Sequence, residues 1–330
     1  MTFIDELEGA SKRFNSIVCM GCDPELGKVP IEVRKITYDK LAKTYVDTYD
    51  VDTYETLTLF YANILKEAFE HGCAPAAIKP NHAFWAQYGS DGLSALEDVI
   101  DDGRTRSIPV ILDAKRGDIG KTSGAYAKEV FDVYNADAVT VAPYMGSDSV
   151  EPFIKKAAEL GRGVYILCRT SNPGGADLQN LWVTGEVVNE KDGMGGVKPV
   201  VHNIVTKVES GYPLYMVTAS KIAEWGEKYP GTVGAVVGAT CPTEFKQIAD
   251  YFVSQEKPPA LLIPGVGSQG GSAKEIVSIL KELGYPLRRC RINSSSGINF
   301  AYEKANRIDW AQAAMDEIKK MNEEIGPLEG

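Results

Sequence analysis

The sequence predicts an α/β protein, a (β/α)8 TIM barrel forming a single domain over residues 1–330, with insertions after the first and fifth strands. Three observations predict it. Short β-branched or apolar runs recur along the chain, each followed by polar loop residues and then by a longer stretch with helical spacing, which is the rhythm of a parallel sheet. Eight such runs can be counted, the number that closes a barrel. The length, 330 residues, is generous for an average domain yet fits one barrel carrying insertions. An open doubly wound sheet fits the same alternation, though more usually with fewer strands.

The predicted strands run Ile17 to Gly21, Ala76 to Lys79, Pro109 to Asp113, Ala138 to Ala142, Gly163 to Cys168, Val233 to Val237, Ala260 to Ile263 and Arg289 to Asn293. Between them the apolar spacing predicts helices over Tyr54 to His71, Ser94 to Asp102, Gly124 to Tyr134, Val150 to Leu160, Leu214 to Tyr229, Thr243 to Phe252 and Ala273 to Leu283. Two segments break the rhythm: residues 25–52, and residues 177–213 with Lys-Asp-Gly-Met-Gly-Gly at 191–196. Both follow strand C-termini, where barrel loops build active sites, so they read equally well as lids or as surface excursions.

The formal net charge of −10 argues against a nucleic-acid or anionic-membrane surface, so any phosphate must be bound locally. The first residues lack the basic-then-apolar order of a signal peptide, and no apolar run is long enough to span a bilayer; the expectation is a soluble, cytoplasmic protein with no membrane partner. Cys19, Cys22, Cys73, Cys168, Cys241 and Cys290 lie mostly in or beside apolar strand-like runs and read as buried thiols. Cys19 and Cys22 form a C-x-x-C with no second pair at zinc spacing, and His71, His82 and His202 form no metal-like cluster. Neither a metal nor a cofactor is expected.

The most informative stretch is Ile-Leu-Asp-Ala-Lys-Arg-Gly-Asp-Ile-Gly-Lys-Thr at 111–122. Asp113 and Lys115 stand two apart at a strand end, so a period of two puts them on one face, at the barrel mouth; Asp118 and Thr122 follow in the loop. A surface salt-bridge network would more usually be spread over helices. Lys79 ends the second strand, with Asn81 just after it, and Asp23 follows the first. Strand C-termini converge on one small volume, where these opposite charges can hold one another in place. Two Gly- or Ser-rich loops, Pro264 to Gly271 (with Gln269 and Gly270) and Asn293 to Gly297 (with Ser295 and Ser296), follow the seventh and eighth strands, the places where barrels often bind phosphate. After the fifth strand, Ser171 and Asn172 suit either a turn role or the amide edge of a heterocycle.

With these motifs assembled, the chain resembles the orotidine 5'-phosphate decarboxylase family, in its longer bacterial branch. The likeness runs through Gly-Cys-Asp-Pro at 21–24, Ile-Lys-Pro-Asn at 78–81, Asp-Ala-Lys-Arg-Gly-Asp-Ile at 113–119, Ala-Asp-Ala-Val-Thr-Val at 136–141, Thr-Ser-Asn-Pro-Gly at 170–174 and Pro-Gly-Val-Gly-Ser-Gln-Gly-Gly at 264–271. The resemblance implies cofactor-free conversion of orotidine 5'-phosphate to UMP. It makes Lys115 the proton donor, sets Asp113 against the departing carboxylate, and places Asp23, Lys79 and Thr122 at the ribose. It puts Ser171 at the pyrimidine and Gln269, with the loop from Pro264 through Gly270, at the phosphate and the pyrimidine edge. It also implies a homodimer in which Asp118 reaches the neighbouring subunit's site. One position departs from the pattern: Ser296 stands where the family usually has a phosphate-gripping arginine, so phosphate binding should be weaker or rely on another cation, with the 177–213 insertion a candidate source. Two rivals stay open, a metal-dependent sister enzyme acting through an enediolate and a non-catalytic nucleotide-binding barrel.

Overall fold

The computed structural model describes residues 1–34, 52–183, 187–191, 197–201, 211–267 and 269–328. Eight parallel strands form its main sheet: β1 (Val18–Cys22), β2 (Ala77–Pro80), β3 (Ile111–Arg116), β4 (Ala138–Val141), β5 (Gly163–Arg169), β6 (Val233–Val237), β7 (Ala260–Ile263) and β8 (Cys290–Ser294). Their order is β2-β1-β8-β7-β6-β5-β4-β3. Parallel bridges from Ile78 to Val110 and from Asn81 to Asp113 span the remaining gap between β2 and β3, so the ring is nearly closed. Each predicted strand is present, most of them shifted by one or two residues.

Alternation along these strands builds the two sides of the wall. Cys19, Ala77, Ile111, Ala138, Tyr165 and Ala260 turn inward and cluster with Phe3 and Leu7 at the lower end of the barrel. Two residues further on, the same strands carry Lys79, Asp113, Thr140, Leu167 and Leu262 into a cleft at the C-terminal ends. The outward residues, such as Val18, Met20, Ile78, Leu112, Val139 and Ile166, pack against the apolar stripes of the surrounding helices. The outer face is therefore apolar, and the inner face of most strands is apolar below the cleft, which is why most strands read as nearly continuous hydrophobic runs.

The surrounding helices are α1 (Phe3–Phe14), α2 (Thr53–Glu70), α3 (Gly89–Thr105), α4 (Gly120–Lys128), α5 (Ser147–Leu160), α6 (Leu214–Lys228), α7 (Pro242–Val253), α8 (Ala273–Glu282) and α9 (Trp310–Ile325). Asp52 caps α2 by accepting the Glu55 amide at 2.8 Å, and Ser272 caps α8 by accepting that of Glu275 at 3.2 Å. α4 begins four residues before its predicted start and widens into a π-helical turn over Glu129–Val133. α1 and α9 lie outside the seven predicted helices. α1 carries Phe3 and Leu7 under the barrel, where the Phe3 ring meets Tyr165 edge-on at 5.6 Å.

Four of the six cysteines are buried thiols as expected, but Cys73 and Cys241 are only partly covered, because both lie in loops rather than within strands. Burial pushes the Cys19 thiol up to about 12 and the Cys22 thiol well above its usual range. The 25–52 insertion is described only at its ends, and the side chains of residues 184–210, including the Lys-Asp-Gly-Met-Gly-Gly segment and any cation there, lie outside the described residues. No helix among the described residues is long and apolar enough to cross a membrane.

Candidate active site

The cleft at the C-terminal ends of the strands has a volume of about 500 Å³. On its floor Asp113 is held from two sides: Lys79 Nζ donates to its Oδ2 at 2.7 Å, and Lys115 Nζ donates to its Oδ1 at 2.6 Å. Thr140 Oγ1 donates to the same Oδ1 at 2.8 Å. Lys79 and Asp113 are buried, whereas the Lys115 side chain is 49% exposed. Burial opposes the charge on Asp113, but the ammonium groups of Lys79 and Lys115 outweigh it and hold the carboxyl far below its usual range. Burial likewise opposes the charge on Lys79, and Asp113 and Asp23 outweigh it and raise its pKa.

Asp113 and Lys115 do meet, but not because a regular strand puts them on one face. The pairing of β3 with β4 slips between Leu112 and Arg116, and Lys115 itself has a left-handed backbone with φ of 45°. This irregularity turns the chain so that the ammonium folds back over the carboxylate two residues earlier. Thr140, on β4, accepts the Lys115 backbone N–H at 2.9 Å and so pins the irregular segment.

Most of the other predicted groups surround this array. Asp23 accepts a hydrogen bond from Ser295 Oγ at 2.6 Å, while its Oδ1 is buried without a partner. A side chain on Gly21 would put its Cβ 2.7 Å from that of Ser295, so glycine is required for the β8 loop to lie against β1. Asn81 lines the cleft and caps the short helix His82–Ala86. Ser171 Oγ donates to Gln269 Oε1 at 2.8 Å and joins the loops after β5 and β7. Gly265 makes that approach possible, since with φ of 92° a Cβ there would lie 2.8 Å from the Ser171 Cβ. Ser296, which opens the short helix Ser296–Asn299, lines the cleft with Ser295 and Pro264.

Three comparisons bear on this geometry. The model of the orotidine 5'-phosphate decarboxylase / HUMPS family matches residues 62–283. Orotidine 5'-phosphate decarboxylase of Halobacterium salinarum is 34% identical over 98% of both chains, and that of Cupriavidus metallidurans is 35% identical over the same shares. The chain belongs to the orotidine 5'-phosphate decarboxylase family. By that membership it is an enzyme of the carboxy-lyase class. Among solved structures, Leishmania donovani OMP decarboxylase superposes with a TM-score of 0.67 at 28% identity, over 98% of this chain and 99% of that one. The Methanocaldococcus jannaschii enzyme complexed with the inhibitor BMP matches in fold, with a TM-score of 0.54 at 20% identity over 82% of this chain and 94% of that one.

Within this decarboxylase-family chain, not every predicted site residue reaches the cleft. Asp118, Thr122 and Gly270 are not among the described residues that line it. Asp118 is half-buried in the loop that leads into α4, and Thr122 is exposed in the first turn of that helix. Arg291 does not approach the phosphate loops; it is fully buried at the opposite end of the barrel, donating to Leu7 O at 2.7 Å and to Ser11 Oγ at 2.9 Å. Among the described residues lining the cleft, Lys79 and Lys115 are the cations, and both are bound to Asp113.

The sequence reading missed Thr140, Glu25 and the apolar patch of Leu167, Val236 and Leu262, all of which line the cleft, as does Asn293 at the start of the predicted phosphate loop. Thr140 was findable, because alternation on β4 from the inward Ala138 puts a lone hydroxyl inside the barrel mouth.

Proposed function

We propose that this chain decarboxylates orotidine 5'-phosphate to UMP in pyrimidine biosynthesis, with its own side chains and without a cofactor. The observation that carries the reading is Asp113 fixed between Lys79 and Lys115 on the cleft floor, in a chain of this family. Breaking the bond between C6 of the ring and its carboxylate releases carbon dioxide and leaves an electron pair at C6 that no carbonyl can absorb. Such a centre is stabilised by a charge already in place. Lys115 is the half-exposed cation of the array, so its ammonium faces that electron pair and then donates a proton to C6, giving UMP; solvent restores the proton. The carboxylate of Asp113, kept ionised by both lysines, lies beside the departing group.

Remote contacts hold the substrate over this array and exclude alternatives to reaction. In this reading Asp23, Lys79 and Asn81 serve the ribose and Ser171 serves the pyrimidine edge, while Thr122, which lies off its own cleft, reaches the ribose of the partner's site beside Asp118. Gln269, Ser295 and Ser296, with the backbone of Pro264 to Gly270, serve the phosphate end. Residues 1–330 act as one domain in the cytoplasm, and two copies pair so that Asp118 completes the partner's site. Ile119, Tyr144 and Met145, all exposed, lie in the loops after β3 and β4 and supply an apolar surface for that pairing.

Purified protein should convert orotidine 5'-phosphate to UMP, followed by absorbance of the pyrimidine, at a rate that EDTA does not change. Loss of turnover in EDTA would favour the metal-dependent sister chemistry. No turnover at high substrate, with nucleotide still bound, would leave a binding protein.

A further inference from the structure

We infer that Thr140 is a positioning residue for the reaction, acting through Lys115 and Asp113; this rests on the proposed decarboxylation. Its hydroxyl does two things at once. It accepts the backbone N–H of Lys115 at 2.9 Å and donates to Asp113 Oδ1 at 2.8 Å, the oxygen that also takes the Lys115 ammonium at 2.6 Å. Thr140 therefore ties together the main chain of Lys115, the carboxylate, and through it the ammonium.

The need for such a tie comes from the backbone. A left-handed conformation at a residue with a long side chain is strained and persists only where the surroundings impose it. The slipped pairing between Leu112 and Arg116 denies Lys115 the regular contacts of a parallel ladder. Thr140 supplies an acceptor in their place, from a strand that is itself rigid: it is buried to 1% exposure, between Val139 and Val141, which pair with Val164 and Ile166 of β5. The hydroxyl fixes where the half-exposed ammonium stands above the cleft floor. A one-ångström displacement of such a group is enough to slow a reaction by about a hundredfold.

Thr140→Val keeps the shape of the side chain and removes both hydrogen bonds, and Thr140→Ser keeps the hydroxyl and removes a methyl. Steady-state kinetics with orotidine 5'-phosphate and calorimetric UMP binding would be measured for both, with thermal melting as a check on folding. The expected result for the valine variant is a kcat lowered about ten- to a hundredfold, with UMP affinity within about twofold of the parent. The serine variant should recover most of the rate. Unchanged kcat in the valine variant, or equal loss in both variants, would overturn the assignment. Lysine 13Cε NMR gives a readout that does not depend on turnover: the Lys115 signal should shift and broaden in the valine variant and return in the serine variant. A Lys115 signal unmoved by Thr140→Val would overturn the inference even if the chain proved inactive on this substrate, which would instead count against the proposed reaction.

Discussion

Asp113 and Lys79 are ionised although largely buried, and their pKa values move in opposite directions: Asp113 is depressed and Lys79 raised. The carboxylate contributes stability above its unfolded value of about 4, and that contribution fades as pH falls through its folded pKa. The ammonium contributes below its unfolded value of about 10.4, and that contribution is lost as pH rises through its folded pKa. Between the two values the pair's contribution is flat. Asp113→Asn breaks it by leaving Lys79 buried with only Asp23 to compensate, and should cost about 3–5 kcal/mol. In that variant the lysine is easier to discharge, so urea unfolding should show stability rising from pH 7 toward pH 10, where the parent stays level; parallel curves would disprove the pairing account. At the far end of the cleft, Ser296 brings no charge to a dianion. Ser296→Arg should raise kcat/KM for orotidine 5'-phosphate by roughly ten- to a hundredfold through a charge-assisted hydrogen bond. An unchanged value would mean that the phosphate lies elsewhere or already has a cation.

The strands were legible because most are short, largely apolar runs bounded by polar loops, as in Ala-Leu-Leu-Ile at 260–263. α1 was not, because its Phe3 and Leu7 are spaced in a charged stretch whose role depends on an opening it plugs, and no local pattern reports an opening. Phe3→Ala tests that role: the ring is fully buried against Tyr165, so the variant should lose about 3–5 kcal/mol in urea unfolding while keeping its kcat, the cleft being at the other end. A loss below about 1 kcal/mol would make α1 a surface helix. The same limit applies at the site. Charged residues in Asp-Ala-Lys-Arg-Gly-Asp announce chemistry from their spacing, but the slip in β3 and the left-handed Lys115 arise from packing against β4, and lysine carries no signature of such a backbone. Arg291 shows the converse, a cation close in sequence to the loop after β8 that shares the inward face with Asn293 but sits two residues earlier on the strand, and so points to the opposite end of the barrel.

For the molecule as a whole, the decisive expectation is shared sites. Lys115→Ala and Asp118→Ala, each inactive alone, should regain activity when mixed and exchanged, because one site of every mixed dimer then carries an intact Lys115 and an intact Asp118. Random exchange predicts roughly a quarter of the parent rate; no recovery, despite exchange verified by sedimentation, would place Asp118 in its own subunit's function. The ring itself has a further consequence. β1 takes its neighbours from both ends of the chain, β2 on one side and β8 on the other, and Arg291 of β8 reaches back to Leu7 and Ser11 across more than 270 residues. During synthesis, then, the first strand must wait with one edge open until nearly the whole polypeptide has left the ribosome. Ring closure becomes a late event governed by translation time, and the open edge of β1 is where a chaperone or a second nascent chain would first take hold.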